Sequence, residues 1–373
     1  MGQFLQDQPP RSGACDGCLR RADLVARLGP HIETAHAMRL GRSRILALSD
    51  DRLIDELGGR HAGALRVGCD RFSTSQARAH AVAAGINTTC RHEHLHYPKA
   101  LLELSDPPAA LHWIGRPGAL RELTSEVTRC AAVVGARKAS EYGLEVARSL
   151  GRDLSEAGVT VVSGMALGVD GAAHEGAIEA GGRTVAVLGG GADVAYPPSK
   201  RRLHGRLAAT GVVISEMPPG CRVWRWSFPA RNRIIAGLAA VTIVVEAQRR
   251  SGSLITAQFA TDLDRELGAV PGRVTSALAR GPNDLLADGA VVVRDAGDVL
   301  DLLGIERPTL APPPQLMPVQ AAVLAAVLAG AETLSAITAT VNDGDGVMLA
   351  LVELELGGRV RRDLGGRYTP VGI

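Results

Sequence analysis

The sequence has few aromatic residues, little net charge and no long apolar segment, and each scarcity excludes a class of protein. Of 373 residues only 3% are aromatic, and the formal net charge is +2. A near-neutral total argues against a chain coated in nucleic acid and favours one bounded charged site. The longest smooth apolar segment, around 234–245, is too short to span a bilayer. The first residues also lack the apolar core of a signal peptide, so we expect a soluble cytoplasmic protein.

Cysteine is also scarce, and it is not spaced like a disulfide framework. Six cysteines are spread over the chain, and the one close pair is Cys15 and Cys18, a C-x-x-C that precedes His31 and His36. A zinc finger needs four ligands, and no second pair stands at finger spacing. We therefore interpret Cys15 and Cys18 as free thiols in a loose N-terminal segment, and we predict no metal and no cofactor.

Positive charge, by contrast, is concentrated between residues 194 and 245. This basic segment holds eight basic residues and one acid, Glu216, a net charge of +7. The eight are Lys200, Arg201, Arg202, Arg206, Arg222, Arg225, Arg231 and Arg233. The aromatic residues of the same segment are Tyr196, Trp224, Trp226 and Phe228. Arginine and lysine neutralise phosphates and flat rings stack on bases, so this mixture is typical of a groove for single-stranded nucleic acid.

The pattern of the chain predicts four segments. Residues 1–96 predict a small helical, SAM-like module without a catalytic cluster. Residues 97–304 alternate apolar strands with amphipathic helices across short glycine-bearing turns, which predicts an α/β, Rossmann-like, doubly wound parallel sheet. Residues 305–317 form a proline-rich linker. Residues 318–373 predict three helices and a two-stranded hairpin, the pattern of a winged helix.

Glycine-bearing turns follow the predicted parallel strands, at the sheet edge where such folds bind ligands. The relevant residues are Gly135, Arg137 and Lys138 after the first strand, Ser163, Gly164 and Gly168 after the second, a glycine triplet at 189–191, and Ser251, Gly252 and Ser253. Glycine lets the backbone approach a phosphate, and a helix N-terminus offers unpaired N–H groups. Neither a dinucleotide fingerprint nor a P-loop motif occurs. Beside the basic segment, these turns predict an anion-binding site.

The sequence supports some basic residues of this site more strongly than others as phosphate contacts. Arg137, Arg231 and Arg233 stand where strands meet loops, so we expect them to contact phosphates. Lys200 to Arg202 fit either a phosphate site or an exposed helix start. We expect two loops, 196–206 and 221–233, to face Arg137 across one edge of the sheet.

The aromatic and acidic candidates leave alternatives open. Phe228 fits a base-stacking ring or a core residue, and its neighbours favour the site. Trp224 and Trp226 fit core packing at least as well. Asp170 and His174, four apart on a predicted helix, suggest a helix cap and a polar pair rather than catalysis. No nucleophile–base pair, metal cluster or paired carboxylates stand out.

The last segment supplies a negative result. Its third predicted helix carries Glu353 and Glu355 and no basic residue, whereas reading the major groove needs Arg, Asn or Gln. The hairpin arginines are Arg359, Arg361, Arg362 and Arg367. We therefore expect this segment to contact protein, or to add an auxiliary grip on a nucleic-acid backbone.

Residues 97–304 resemble the DNA-processing protein family DprA, also called Smf. The matching pieces, in the family's order, include VVGARKASEYG, VVSGMALGVDGAAHEGAI, TVAVLGGGADVAYP, FPARNRIIAGL and VVEAQRRSGSLITAQFA. Two departures stand in the loops: Leu167 occupies a position that is usually basic, and Lys200 one that is usually asparagine. We interpret them as a charge that has moved between loops.

The resemblance implies a non-enzymatic protein that binds single-stranded DNA in a basic pocket. It implies binding residues among those above, together with Asn232, and loading of the recombinase RecA onto the DNA in natural transformation or recombination. It also implies a homodimer through the Rossmann-like domain. The alternative is an enzyme of the nucleoside-monophosphate phosphoribohydrolase type, but RRSGSLITA stands where that family has a P-G-G-x-G-T loop.

Overall fold

The computed structural model describes residues 13–37, 45–93, 95–116, 118–307, 316–341, 344–363 and 365–371. The chain forms two compact units, Met1–Arg307 and Pro308–Ile373. Residues 1–96 and 97–304, predicted as separate domains, therefore lie within one unit. Within the described ranges, no helix combines the length and apolarity needed to cross a membrane.

A nine-stranded sheet forms the centre of the first unit. In chain order its strands are β1 (Asn87–Cys90), β2 (Ala110–Gly115), β3 (Cys130–Val134), β4 (Thr160–Ser163), β5 (Thr184–Val187), β6 (Val212–Ser215), β7 (Val241–Val244), β8 (Glu266–Ala269) and β9 (Val291–Val292). Their order in the sheet is β1-β2-β6-β5-β4-β3-β7-β8-β9. Strands β3 to β9 run parallel, which confirms the predicted fold class. Strands β1 and β2 extend one edge in antiparallel fashion, and β1 comes from the segment predicted to be helical.

Helices cover both faces of this sheet. In chain order the helices of this unit are α1 (Asp16–Arg27), α2 (Gly29–Ala37), α3 (Asp50–Gly58), α4 (Ala62–Asp70), α5 (Thr74–Ala83), α6 (Ala119–Thr124), α7 (Glu141–Glu156), α8 (Val169–Glu179), α9 (Arg201–Thr210), α10 (Ser227–Gly237), α11 (Ser253–Asp262), α12 (Arg280–Ala287) and α13 (Ala296–Leu302). Side chains alternate along a strand, so Ala132 and Val134 pack with α10 and α11, while Ala131 and Val133 pack with α7 and α8. Burial on both faces explains the continuous apolar strands of the sequence.

The strand order reverses at β3. Strands β4, β5 and β6 lie on one side of it, and β7, β8 and β9 lie on the other. The connections leaving β3 and β7 therefore diverge to opposite faces, which opens a crevice at their carboxyl ends. This position sets where a ligand can enter the sheet.

Two tryptophans join α1–α5 to the sheet domain. Trp226 is buried with Leu28 and Leu53 of the helical module, and its Nε1 donates to the Gly29 carbonyl at 3.0 Å. Trp224 also lies against Gly29, where a Cβ atom would come 2.5 Å from the indole Nε1. Of the two uses left open for these tryptophans, the structure shows packing.

The second unit contains α14 (Pro318–Leu328), α15 (Leu334–Val341), α16 (Gly344–Leu356), β10 (Val360–Arg362) and β11 (Tyr368–Pro370). The strands pair antiparallel, and the three helices share a core with Val360 and Tyr368. The predicted three helices and hairpin are therefore present, and the winged-helix assignment stays a prediction. Most of the predicted linker, 308–315, lies outside the described residues, as does Leu364 before the Gly365–Gly366 turn.

Candidate nucleic-acid interface

A cleft of about 810 Å³ opens at the carboxyl ends of β3 and β7. Its wall is assembled from loops and helix starts that follow six strands, β3 to β8. The lining includes Gly135, Arg137, Lys138, Asp170, Tyr196, Arg225, Phe228, Arg231, Asn232, Gln248, Arg250, Ser251, Gly252 and Ser253. Nine of the predicted site residues are therefore brought together, at the edge where the sequence placed them.

Unpaired positive charge surrounds the cleft. Arg137, Lys138, Arg225 and Arg250 line it and are exposed. Across the part of the chain that the structure describes, none of these four has an ion pair, whereas Asp170 is the one carboxylate of the lining. A concave wall with an excess of cations focuses field lines and concentrates anions.

Arg231 forms the floor of the cleft and holds two strands' ends together. Its Nη1 donates to the carbonyls of Gly164 and of Val187, the latter at 2.6 Å, and its Nη2 lies 3.8 Å from Asp170 Oδ2. Burial lowers the pKa of Arg231 to about 10, against the attraction of Asp170, so the guanidinium stays charged at neutral pH. Its buried Nε has no hydrogen-bond partner among the described residues. Arg231 therefore fixes the loops and keeps one donor unused.

Phe228 is the central ring of the cleft. It stands in the first turn of α10, half-buried, with Arg137 Cζ 4.6 Å from its ring centroid. The Tyr196 ring lies 5.6 Å away, tilted by 47°. A ring held between a cation and a second ring is positioned to accept a flat, electron-rich base.

The N-terminus of α11 also opens onto the cleft. Ser251, Gly252 and Ser253 line the wall there, and the Ser251 and Ser253 hydroxyls lie 2.8 Å apart. Asn232 Nδ2 donates to the Gly252 carbonyl at 3.0 Å, which ties α10 to the start of α11. The N–H groups and the dipole of a helix start favour an anion.

Three predicted residues lie behind the cleft rather than in its lining. The Ser163 hydroxyl donates to the Val133 carbonyl at 2.6 Å and is fully buried. A Cβ atom on Gly164 would overlap the Arg231 guanidinium, and one on Gly168, which has a φ of +77°, would overlap the Ala136 carbonyl. These residues let neighbouring groups approach closely, so their predicted direct contact with phosphate does not fit this structure.

Glu246 supports the Arg137 loop from below. This buried carboxylate, at the end of β7, accepts the Ser140 N–H at 2.8 Å and the Ser140 hydroxyl at 2.6 Å. Ser140 is in turn the N-cap of α7 and accepts from the Gly143 N–H. Gly135, in the lining, packs against Val169 so closely that a Cβ atom would come 2.6 Å from it. The loop 135–140 is therefore anchored at both ends.

Arg233 does not line the cleft, which corrects its predicted role. Its buried guanidinium contacts three carboxylate oxygens of two residues. These are Glu216 Oε1 at 2.9 Å, Glu216 Oε2 at 2.6 Å and Asp106 Oδ2 at 3.0 Å. Burial by itself would lower the pKa of Arg233, but the attraction of Glu216 and Asp106 outweighs it and raises that pKa. A phosphate would have to displace two acids to reach this group. We call Arg233, Glu216 and Asp106 the Arg233 cluster.

Lys200 and Arg201 also lie outside the lining of the cleft. Lys200 Nζ is 3.4 Å from Glu175 on α8, and Arg201 is the exposed first residue of α9. Arg222 instead stacks on Trp224, with its Cζ 3.7 Å from the ring centroid. The charge at Lys200 therefore does not replace a cation inside the cleft, and of the two alternatives for 200–202 the structure shows a helix start.

The predicted Asp170–His174 pair is wrong in its partners. Asp170 accepts from the Ala166 N–H at 3.3 Å and faces Arg231, and burial raises its pKa against that attraction. His174 Nδ1 lies 2.7 Å from the Thr184 hydroxyl. The N-cap of α8 is Gly168, not Asp170. The two side chains therefore belong to separate networks, and their non-catalytic role stays a prediction.

Sequence reasoning did not assign three lining residues to the site, namely Tyr196, Arg225 and Arg250. Tyr196 and Arg225 belong to the basic segment, and Arg250 follows β7 in the turn that carries Ser251. A usable signal was present, since each stands after the end of a parallel strand.

The second unit presents an apolar helix face instead of a base-reading one. Met348, Leu349, Val352 and Leu356 of α16 are all more than 40% exposed. Glu353 accepts from Gln320 Nε2 at 2.6 Å, and Arg367 of the hairpin pairs with Glu332 at 2.9 Å. These side chains suit contact with protein better than contact with a duplex.

The fold and the cleft define a Rossmann-like protein with a cationic, aromatic-lined site at the carboxyl edge of its sheet. The chain belongs to the family described as DNA recombination-mediator protein A, whose sequence profile matches residues 88–304. This confirms the resemblance to the DprA (Smf) proteins.

Relatives and solved structures agree with this membership. Protein Smf of Synechocystis is 33% identical over 309 residues, which cover 73% of this chain and 77% of that protein. The putative DNA processing protein DprA of Mycobacterium tuberculosis is 46% identical over 192 residues, 52% of this chain and 49% of that one. DprA from Streptococcus pneumoniae superimposes with a TM-score of 0.60 at 31% identity, covering 76% of this chain and 95% of that chain. DprA from Helicobacter pylori, described with its single-stranded DNA binding mode, gives 0.52 at 29% identity, with 58% and 95% covered.

Proposed function

We propose that this protein binds single-stranded DNA in the cleft and delivers it to the recombinase RecA. The observation that carries the proposal is the set of four unpaired cationic side chains that line the cleft together with the half-buried Phe228. Arg137, Lys138, Arg225 and Arg250 are placed to meet phosphates, and Phe228 is placed to stack on a base.

The aromatic ring favours a single strand over a duplex. In a duplex both faces of each base are covered by neighbouring bases, so a ring inside a cleft reaches only an unstacked base. Phosphates of either form would meet the exposed arginines equally well. Discrimination between the two forms therefore depends on Phe228 and Tyr196.

Mediation of recombination is the further part of the proposal. Support comes from the family's description as a recombination mediator and from the single-stranded DNA binding mode described for the Helicobacter pylori relative. We propose a homodimer through the Rossmann-like domain and a role in recombination or natural transformation. The apolar face of α16 is available to a protein partner.

We also propose that the cleft binds without cleaving. Its one carboxylate, Asp170, is buried and faces Arg231, while Glu246 is engaged by Ser140. A nucleoside-monophosphate phosphoribohydrolase would release free base from nucleoside monophosphates. Incubation with each monophosphate, followed by chromatography, is expected to show no protein-dependent free base; turnover abolished by Asp170→Asn would instead establish the enzyme.

Equilibrium binding of labelled oligonucleotides tests the first part. Fluorescence anisotropy is measured with a single strand and with the matching duplex at equal length and salt. We expect the single strand to bind at least tenfold more tightly. Equal affinity for the two forms would contradict base stacking, and no binding to either would contradict the site.

The second part is tested with RecA and a strand covered by single-stranded DNA-binding protein. We expect the protein to shorten the lag in the DNA-dependent ATPase of RecA, and an Arg137→Ala, Arg250→Ala variant to lose that effect. A protein that binds the strand but leaves the lag unchanged would refute loading while leaving the DNA site intact.

A further inference from the structure

Four potential metal ligands from distant parts of the chain meet at one edge of the sheet. Cys15 and Cys18 lie at the start of α1, Cys90 is the last residue of β1, and His92 follows two residues later. Their three Sγ atoms and the imidazole nitrogen all lie within 4.8 Å of one another. The described chain thus brings C-x-x-C together with a C-x-H that stands 72 residues after Cys18.

The spacing of these atoms fits a tetrahedral ion. Zinc is bound at about 2.3 Å by sulfur and about 2.0–2.1 Å by nitrogen, so the ligand atoms of a tetrahedral site lie about 3.5–3.8 Å apart. His92 Nδ1 lies 3.5 Å from both Cys15 Sγ and Cys18 Sγ. A small inward movement of the remaining atoms completes the geometry.

We propose that Cys15, Cys18, Cys90 and His92 form a structural zinc site. Three thiolates and one imidazole are a closed ligand set that leaves no open position for a substrate. Three cysteines also cannot all be satisfied by one disulfide, and all three are free thiols in the structure. The imidazole between two of the thiols is what distinguishes this cluster from a C-x-x-C redox pair.

The surroundings protect such a site. Cys18 and Cys90 are buried with Ala14, Leu19 and Ala110, while Cys15 is half-buried and His92 is exposed at the rim. The Cys15 N–H donates to Cys90 Sγ at 3.3 Å. Hydrogen bonds from backbone N–H groups to the sulfurs orient ligands and stabilise thiolate charge around a metal.

The site would join the helical module to the sheet. Its ligands connect α1 with β1, the edge strand that pairs with β2. Because the unfolded chain does not hold the four ligands together, the free energy of metal binding adds to the stability of this junction. The predicted loose segment is corrected, since α1 is ordered from Asp16 and both Cys15 Sγ and Cys18 Sγ lie 3.5 Å from His92 Nδ1. In the proposed site these thiols are ligands of the metal.

Sequence reasoning missed this site because it looked for a second pair of ligands close to Cys15 and Cys18, at the spacing of a zinc finger. The candidates His31 and His36 do not belong to the cluster, and the His31 ring lies 5.6 Å from that of His61 instead. A strand carries Cys90 to α1, so only the fold reveals the pairing.

Metal analysis of the full-length protein tests the proposal. The protein is purified without added metal, dialysed against a chelator at neutral pH, and analysed by mass spectrometry for metals and by titration of free thiols. We expect about one zinc per chain. Cobalt substitution should give the visible bands of a tetrahedral thiolate site.

The variants are chosen at the rim so that folding is preserved. Cys15→Ser and His92→Ala are expected to lower the zinc content at least tenfold after dialysis, and His92→Cys to restore it. Cys221→Ser, a half-buried cysteine outside the cluster, is the matched control and should retain the zinc. A protein without zinc, zinc that remains in His92→Ala, or a disulfide between Cys15 and Cys18 in the folded protein would each overturn the proposal.

Discussion

Two regions of the first unit receive arginines from the same helix, α10, and differ in how much positive charge they leave unpaired. Arg231 reaches the cleft, where the neighbouring Arg137, Arg225 and Arg250 are exposed and unpaired within the described chain. Arg233 lies on the other side of α10 and is neutralised in the Arg233 cluster. One region leaves cations exposed beside the buried Arg231, and the other pairs its cation with two acids.

The geometry of the helix explains this division. Successive residues of an α-helix are separated by about 100° around its axis, so residues two apart point about 200° from each other. The acids Asp106 and Glu216 meet only one of the two faces. Local charge density in a sequence therefore indicates a site only after the partners of each charge are known.

The largest expected effect comes from breaking the Arg233 cluster. Arg233→Met leaves Glu216 and Asp106 buried without their cation, and losing one partner of a buried ion pair costs about 3–5 kcal/mol. Denaturant unfolding should show this loss, while Arg202→Ala, an exposed residue of α9, should stay within about 0.5 kcal/mol of the wild type. A stable Arg233→Met protein that no longer binds DNA would place Arg233 in the DNA site and break the comparison.

The next effect concerns His174, a buried histidine behind the cleft. Burial lowers its pKa from 6.5 to about 3. Because the unfolded chain takes up a proton near pH 6.5 and the folded one does not, the contribution of neutral His174 is complete above pH 6.5. It is lost as the pH falls from there towards 3, by about 1.4 kcal/mol per pH unit.

Thermal melts of the wild type and of His174→Gln between pH 7.5 and 4 give the stability of each protein as a function of pH. The difference between the two stability curves measures the contribution of His174. We expect the variant to lose less stability on acidification. Parallel curves would show that His174 does not make this contribution. Other buried groups, such as His112, act on both proteins equally.

A smaller effect, on the affinity for a single strand, is expected when the Phe228 ring is removed from the cleft. Phe228→Ala removes one base-stacking platform, which is worth about 1–3 kcal/mol, or roughly 5- to 150-fold in affinity for a single strand. The salt dependence should not change, because no phosphate contact is lost. Phe228→Trp should restore the affinity, and Tyr142→Ala, an exposed ring outside the cleft, should leave it unchanged. Full affinity in Phe228→Ala would return this residue to a packing role.

Much of the fold follows from the sequence, because strands buried on both faces and glycine-bearing turns leave a clear alternating pattern. The parallel sheet was predicted correctly. Arg137, Phe228 and Ser251 line a cleft at the sheet edge where the sequence placed them, and their contact with DNA stays a prediction. The edge strand β1 was missed, since it is four residues long and lies in a segment of helices.

The residues that were misplaced share a physical cause. The segment 221–233 was interpreted as a loop, but α10 begins at Ser227, and a helix directs Arg231 and Arg233 to opposite sides. Likewise Lys200 and Arg201 start α9, where Glu175 of a neighbouring helix draws the lysine aside. The direction of a side chain and its partner depend on the assembled fold, which spacing along the chain does not contain.

The central claim is that the exposed cations of the cleft, not the total basic charge, bind the phosphates of a single strand. It is tested most directly by the salt dependence of binding for two variants of equal charge change, Arg137→Ala with Arg250→Ala, and Arg201→Ala with Arg202→Ala. Each lost phosphate contact lowers the slope of log affinity against log salt by about 0.7 for a single strand, so the cleft variant should lose about 1.4 and the control close to none. Equal slopes for the two double variants would contradict the account.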